Sequence, residues 1–220
     1  QGAARRIQTL RLKLRLARME GATAEAQETA RLLAKHRAFS PQAAASIVRG
    51  LAVDALREAH DLSQLRLAWE KLDSTERAMP EIALAAAQRA YQLSKLSVHP
   101  TDGDAKSTAE LVLGWLEPLL GQFVQLDPSL QKELVLVLEP GLAALDAGWL
   151  ARLEQAQRQL PNNAYLQYLA GQACMQRQLW GKASQLLGQA SQSLKESALQ
   201  RRIWRSMAVL AEERGDEVAA

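Results

Sequence analysis

A chain of 220 residues and 24.2 kDa with 48% apolar residues is long enough for one or two domains with a real core, which excludes a disordered protein. The 27 Lys and Arg against 24 Asp and Glu leave a net charge of only +3, which excludes the one-signed surface of a general nucleic-acid binder despite a pI near 9.2. The 12 glycines never lie closer than seven positions apart, so no dinucleotide-binding cluster or phosphate-cradling loop can be written. The single Cys174 and the scattered His36, His60 and His99 offer neither a disulfide nor metal-ligand spacing.

Alanine and leucine contribute 77 residues and valine and isoleucine only 13, a bias toward helix formers that predicts an all-α protein. Residues 7–19 carry Leu10, Leu12, Leu14 and Leu16 in strand-like alternation, but their length and Ala/Arg/Lys setting predict a helix. Gly21 breaks it, and residues 24–35 follow as a second helix with Ala26, Ala30 and Leu33 on one face. Ser40-Pro41 starts a third helix, through about Arg57, by an N-cap and first-turn proline.

Residues 62–72 form a short helix with Trp69 on its apolar side, and Met79-Pro80 opens an alanine-rich helix over residues 81–96. Residues 98–104, with His99-Pro100 and Asp102-Gly103, are the clearest loop. Residues 105–121 predict a helix bent near Pro118, and Asp127-Pro128 caps another to about Leu138. The apolar run 134–138 suits a buried helical turn or a short extended segment. Beyond Pro140, the spacing of Leu142, Leu145, Trp149, Leu150 and Leu153 predicts helix up to Leu160-Pro161. The longest apolar stretch, residues 111–120, contains Glu117 and Pro118 and has about half the ~20 residues needed to span a bilayer.

From residue 164 onward Gly171, Ala183 and Ala190 are small, with Trp180 and Leu187 large between them. Small residues at these offsets let two helices approach closely while the large ones fill the gaps, the mechanics of a tetratricopeptide repeat. Ala208, Gly215 and Ala220 follow Gly171, Gln178 and Ala183 at an offset of 37, and Leu14, Gly21, Ala26 and Leu33 form a weaker first copy. The predicted fold is therefore an all-α superhelical stack of antiparallel helix pairs. It divides into N-terminal hairpins over residues 1–97, an irregular helical middle over 98–161 and C-terminal repeats over 162–220, in one continuous solenoid. Gly171, Ala183, Leu187, Ala190, Ala208 and Gly215 are expected to carry the repeat packing. Gln178 stands where such a repeat has glycine at the turn between its helices.

The segments Leu67-Ala68-Trp69, Glu81-Ile82-Ala83-Leu84, Leu169-Ala170-Gly171-Gln172 and Leu179-Trp180-Gly181-Lys182-Ala183, in this order, resemble the HemY family encoded with proteobacterial haem-biosynthesis genes. The resemblance implies a carboxy-terminal repeat domain preceded, in the full-length protein, by two membrane helices at the bacterial inner membrane. It implies a role in a late step of protohaem synthesis with no reaction assigned. An unrelated flavin-dependent protoporphyrinogen oxidase shares the family's name, but its glycine cluster is lacking here.

In such a stack the first helix of each repeat lines a concave groove. That places Arg11, Arg15 and Arg18 on one helical face, where they suit an acidic peptide, a chain terminus or the propionates of a porphyrin. It also places Tyr165, Tyr168, Gln172 and Met175, and then Arg202 and Arg205, in the groove, where they suit peptide or planar-ligand contact. Arg31, Lys35 and Arg37 are expected on the convex side. Each of the five tryptophans is expected in the core, Cys174 to pack as a small apolar residue, and His99 to be a solvated loop residue rather than a haem ligand.

These features predict a non-catalytic interaction module whose partner is another protein, with no nucleic acid and no required cofactor, and the resemblance implies that this partner is a haem-synthesis enzyme. Its membrane contact would run through an upstream segment, with this domain on the cytoplasmic face. The rival reading is a direct haem- or porphyrin-binding protein, or a porphyrin-processing enzyme using the groove.

Overall fold

The computed structural model describes residues 2–96, 102–213 and 215. Every regular element among them is helical: α1 (Gly2–Met19), α2 (Thr23–Lys35), α3 (Pro41–Arg57), α4 (Leu62–Glu70), α5 (Ser74–Arg77), α6 (Pro80–Leu96), α7 (Asp102–Gly121), α8 (Pro128–Leu138), α9 (Ala147–Gln159), α10 (Ala164–Gln176), α11 (Trp180–Ser193) and α12 (Ser197–Glu213), with 3-10 segments at Phe123–Gln125 and Glu139–Ala144. The chain falls into two compact units, residues 1–100 and 101–220.

Helix starts follow local chemistry. Ser40 accepts from the Ala43 N–H at 3.3 Å ahead of Pro41, and Asp127 accepts from the Ser129 and Leu130 N–H groups ahead of Pro128, as the two cap-plus-proline signals predict. Asp73 and Glu76 form a reciprocal capping box on the one-turn helix α5, which the sequence reading did not anticipate.

Three helix ends share one device. Gly21, Arg37 and Gln178 all take positive φ, at 69°, 52° and 57°, and the next residue in each case donates back to a carbonyl five positions earlier. The pairs are Ala22 to Ala17, Ala38 to Leu33 and Leu179 to Cys174, each closing a Schellman-type end. Gln178 thus holds a left-handed conformation that glycine adopts without strain.

In the first unit α2 packs against α1 and α3, α3 continues onto α6, and α4 and α5 pack on both α3 and α6. Leu14, Ala17, Ala26, Ala30, Leu33 and Leu51 form a core where the first three helices meet. In the second unit α10 and α11 make the closest pair, α12 continues from α11, and α8, α9 and the 139–144 turn pack against α10. Gly171 is the reason the pair can close: a Cβ there would lie 2.8 Å from Leu187 Cγ. Ala183, Leu187 and Ala190 are buried around it.

Several local expectations are corrected. Helix α7 already includes residues 102–104, while Val98, His99 and Pro100 lie outside the described residues. The spacing after Pro140 does not make one helix, because residues 139–144 wind as a 3-10 turn, Leu145 is extended and Asp146 caps a new start at Ala147. The run 134–138 is a buried helical turn.

Gly215 is a turn glycine at φ 71° that matches Gln178 in conformation, and no described residue lies within 4 Å of where its Cβ would stand. Ala208 is half-buried on α12, and Ala220 lies outside the described residues. Trp204 is 60% exposed rather than in the core, because α12 meets α10 and α11 through Leu199, Ile203 and Leu210 on another side. Trp69, Trp115 and Trp149 are buried and Trp180 half-buried.

Candidate functional site

Spacings of three and four put Tyr165, Tyr168, Gln172 and Met175 on one face of α10. The face is largely occupied by the protein itself. Tyr168 is fully buried, and its hydroxyl donates to Glu139 at 2.5 Å. Arg202 of α12 pairs with the same carboxylate. One turn earlier, the Tyr165 hydroxyl donates to Glu196 at 3.0 Å, and Lys132 of α8 pairs with Glu196 at 2.5 Å. One turn later, Gln172 donates to the Ser206 hydroxyl of α12 at 2.8 Å.

The expectation of an open groove at Tyr168 is therefore corrected: the two tyrosines and Gln172 are latches joining α10 to the elements beside it. Burial, then the bond to Glu139, pushes the Tyr168 hydroxyl well up, so it remains a proton donor at neutral pH. The bond from Lys132 holds the Glu196 carboxyl below the usual range. Met175 is half-buried and Arg205 exposed. Glu139, Glu196 and Ser206 had no local signal, since their importance lies in partners 29 to 34 positions away.

Helix α1 presents a different situation. Arg11, Arg15 and Arg18 are all exposed on the flank that borders Leu14. Arg11 is already engaged: it donates to the Ala38 carbonyl at 2.5 Å and sits 5.4 Å from the centre of the Phe39 ring. Arg15 and Arg18 rim an open cleft of about 640 Å³ walled by Leu14, Met19, Phe39 and Ile47. On its other side Arg18 borders a second cleft with Asp54, Arg57 and Glu58, where charges of both signs meet.

Phe39 and Ile47 were not anticipated as wall residues. The signal available was an aromatic side chain directly before the Ser40-Pro41 cap, a position that packs back on its own helix entry.

Arg31 is not a free surface charge. Its guanidinium grips the buried Glu76 carboxylate through Nε at 2.7 Å and Nη2 at 2.5 Å, while Lys35 and Arg37 are exposed.

An apolar cavity of about 280 Å³ lies among α9, α10 and α11, walled by Leu153, Ala173, Cys174 and Leu186. Its rim charges are engaged: Lys182 with Glu154 at 3.0 Å, and Arg177 with the Leu145 carbonyl at 2.9 Å. Burial pushes the Cys174 thiol up, which suits a packing role.

Among the described residues no group of three or more His, Cys, Asp or Glu is placed to hold a metal ion, and no helix is long and apolar enough to cross a membrane. The described residues form a protein of packed helices, with a basic, apolar-walled recess at α1. Comparison of the chain with protein-family models, curated proteins and solved structures finds no match.

Proposed function

We propose that the chain is a non-catalytic interaction module whose hairpins pack in tetratricopeptide fashion, and that it holds another protein through the α1 cleft. The observation that carries this reading is the recess itself. Arg15 and Arg18 stand at the rim of a space whose walls are Leu14, Phe39 and Ile47. Such a site fits a peptide segment with a carboxylate beside an apolar side chain, because guanidinium forks pair with carboxylates while the walls take the hydrocarbon. The likeness to the HemY family supplies the pathway: a partner among the enzymes of late protohaem synthesis at the bacterial inner membrane.

The test uses the full-length protein in solubilised membranes. A haem-synthesis enzyme retained by the wild type and lost on Arg15→Gln/Arg18→Gln supports the reading. Retention unchanged by that variant removes the cleft from it, and retention of no pathway enzyme removes the pathway. Turnover of late porphyrin intermediates by the purified protein alone would favour the enzymatic alternative.

A further inference from the structure

The alternating leucines of α1 acquire a meaning once the segment is seen to be helical. Residues two apart on a helix stand about 200° apart, so alternation sends successive leucines to opposite sides. Leu10 and Leu14 face α2 and the core. Leu12 and Leu16 face outward at 64% and 54% exposure, and Met19 extends the outward row at 78%. Their spacings of four and three make one stripe along the helix.

Cations flank the stripe on both sides. Arg11, Arg15 and Arg18 run along one edge, Arg6 and Lys13 along the other, and Arg5 stands at its N-terminal end. Helix α1 contains no acidic residue, and the first carboxylate, Glu20, follows its last turn. The carboxylate that meets this helix in an ion pair, Glu25 of α2, engages Lys13 at 3.1 Å.

We propose that this outer face of α1 rests on the surface of an anionic phospholipid bilayer, with Leu12 and Leu16 entering the boundary of the acyl region and Arg5 and Arg6 reaching the phosphates. Long basic side chains on either side of a narrow apolar stripe suit that boundary, since their stems lie along hydrocarbon while their charges stay in the headgroup layer. A second copy of the same face is disfavoured because cations would meet cations. An uncharged apolar partner would leave the flanking arginines without counter-charges. The short stripe makes the attachment reversible and dependent on anionic lipid.

Arg11, Arg15, Arg18 and Met19 border both this face and the cleft of the proposed function, whereas Leu12, Leu16, Arg5 and Arg6 do not line the cleft, so the two proposals are tested at different residues. The test sediments the whole chain with vesicles of phosphatidylcholine alone and of phosphatidylcholine containing phosphatidylglycerol. Binding is expected with the anionic vesicles alone and should weaken as salt rises. It should fall about tenfold or more in Leu12→Ser/Leu16→Ser and likewise in Arg5→Gln/Arg6→Gln, with helicity and thermal midpoint unchanged because all four positions are exposed. These variants should leave peptide binding in the cleft intact, so either proposal can fail without the other.

Equal binding to both vesicle types, no binding to either, or full binding by the Leu12→Ser/Leu16→Ser variant would overturn the proposal. So would a dimer in solution that the same variant dissociates, which would assign the stripe to a second copy.

Discussion

Arg31 and Glu76, 45 positions apart, form a two-pronged ion pair in which the carboxylate is only 2% exposed. Glu76 also accepts from the Asp73 N–H at 2.9 Å, so one side chain both caps α5 and anchors it to α2. Removing the guanidinium leaves a buried charge with that N–H as its remaining donor. Arg31→Met is therefore expected to cost about 3 kcal/mol, near the lower end for uncovering a buried carboxylate because Arg31 itself is partly solvated. Urea unfolding of Arg31→Met, Glu76→Gln and the double variant checks it. The double variant should lose clearly less than the sum of the singles.

Gln178 holds a left-handed conformation at φ 57° that strains a residue with a Cβ. Gln178→Gly should raise stability by about 0.5–1 kcal/mol, seen as a higher thermal midpoint. A fall in the midpoint would mean that the glutamine side chain contributes more than its backbone costs.

Gly171 permits the close approach of α10 and α11. Gly171→Ala is expected to destabilise by about 1–3 kcal/mol, because Leu187 must move from a filled position. Leu187→Ala should recover part of that loss when combined with it, although alone it opens a cavity. Additive losses in a double-mutant cycle would show that the two residues do not meet.

The Tyr91 hydroxyl is buried with no hydrogen-bond partner among the described residues, and burial pushes its pKa up to about 12. The unfolded chain releases this proton near pH 10. As pH rises, the unfolded state therefore ionises first: the contribution is complete below about pH 10 and is lost between there and about 12, on the order of 2 kcal/mol in all. Tyr91→Phe should remove that alkaline loss. It should also add about 1 kcal/mol at neutral pH by deleting an unsatisfied group. Denaturant midpoints measured from pH 8 to 11 would show both effects.

For the α1 cleft, Arg15→Gln/Arg18→Gln should weaken binding of an acidic peptide roughly tenfold at low salt and less at high salt. Lys35→Gln/Arg66→Gln, at exposed positions of the same unit, serves as the charge-matched control and should change little. Fluorescence anisotropy with a labelled peptide separates the two. Arg31 is unsuitable for the control because its loss would disturb the fold, and Arg11 is left intact because it holds Ala38 and Phe39.

Composition and short-range chemistry in the sequence determined that the chain is helical and where most helices begin and end. The Ser40-Pro41 and Asp127-Pro128 caps act over three or four residues, and the left-handed ends at Gly21 and Gln178 close within one turn. Tertiary structure alone decided which face of each helix is covered and which charges are engaged. Leu12 and Leu14 are the same residue type two positions apart, yet one is exposed and the other buried. Arg18 and Arg31 are both helical arginines, yet the first borders open clefts and the second is bound to a buried carboxylate. Tyr168 looks like a binding residue until Glu139, 29 positions away, takes its hydroxyl. The physical reason is range: caps and turns are settled by backbone groups within a few residues, whereas the environment of an arginine or tyrosine depends on segments that only packing brings to it.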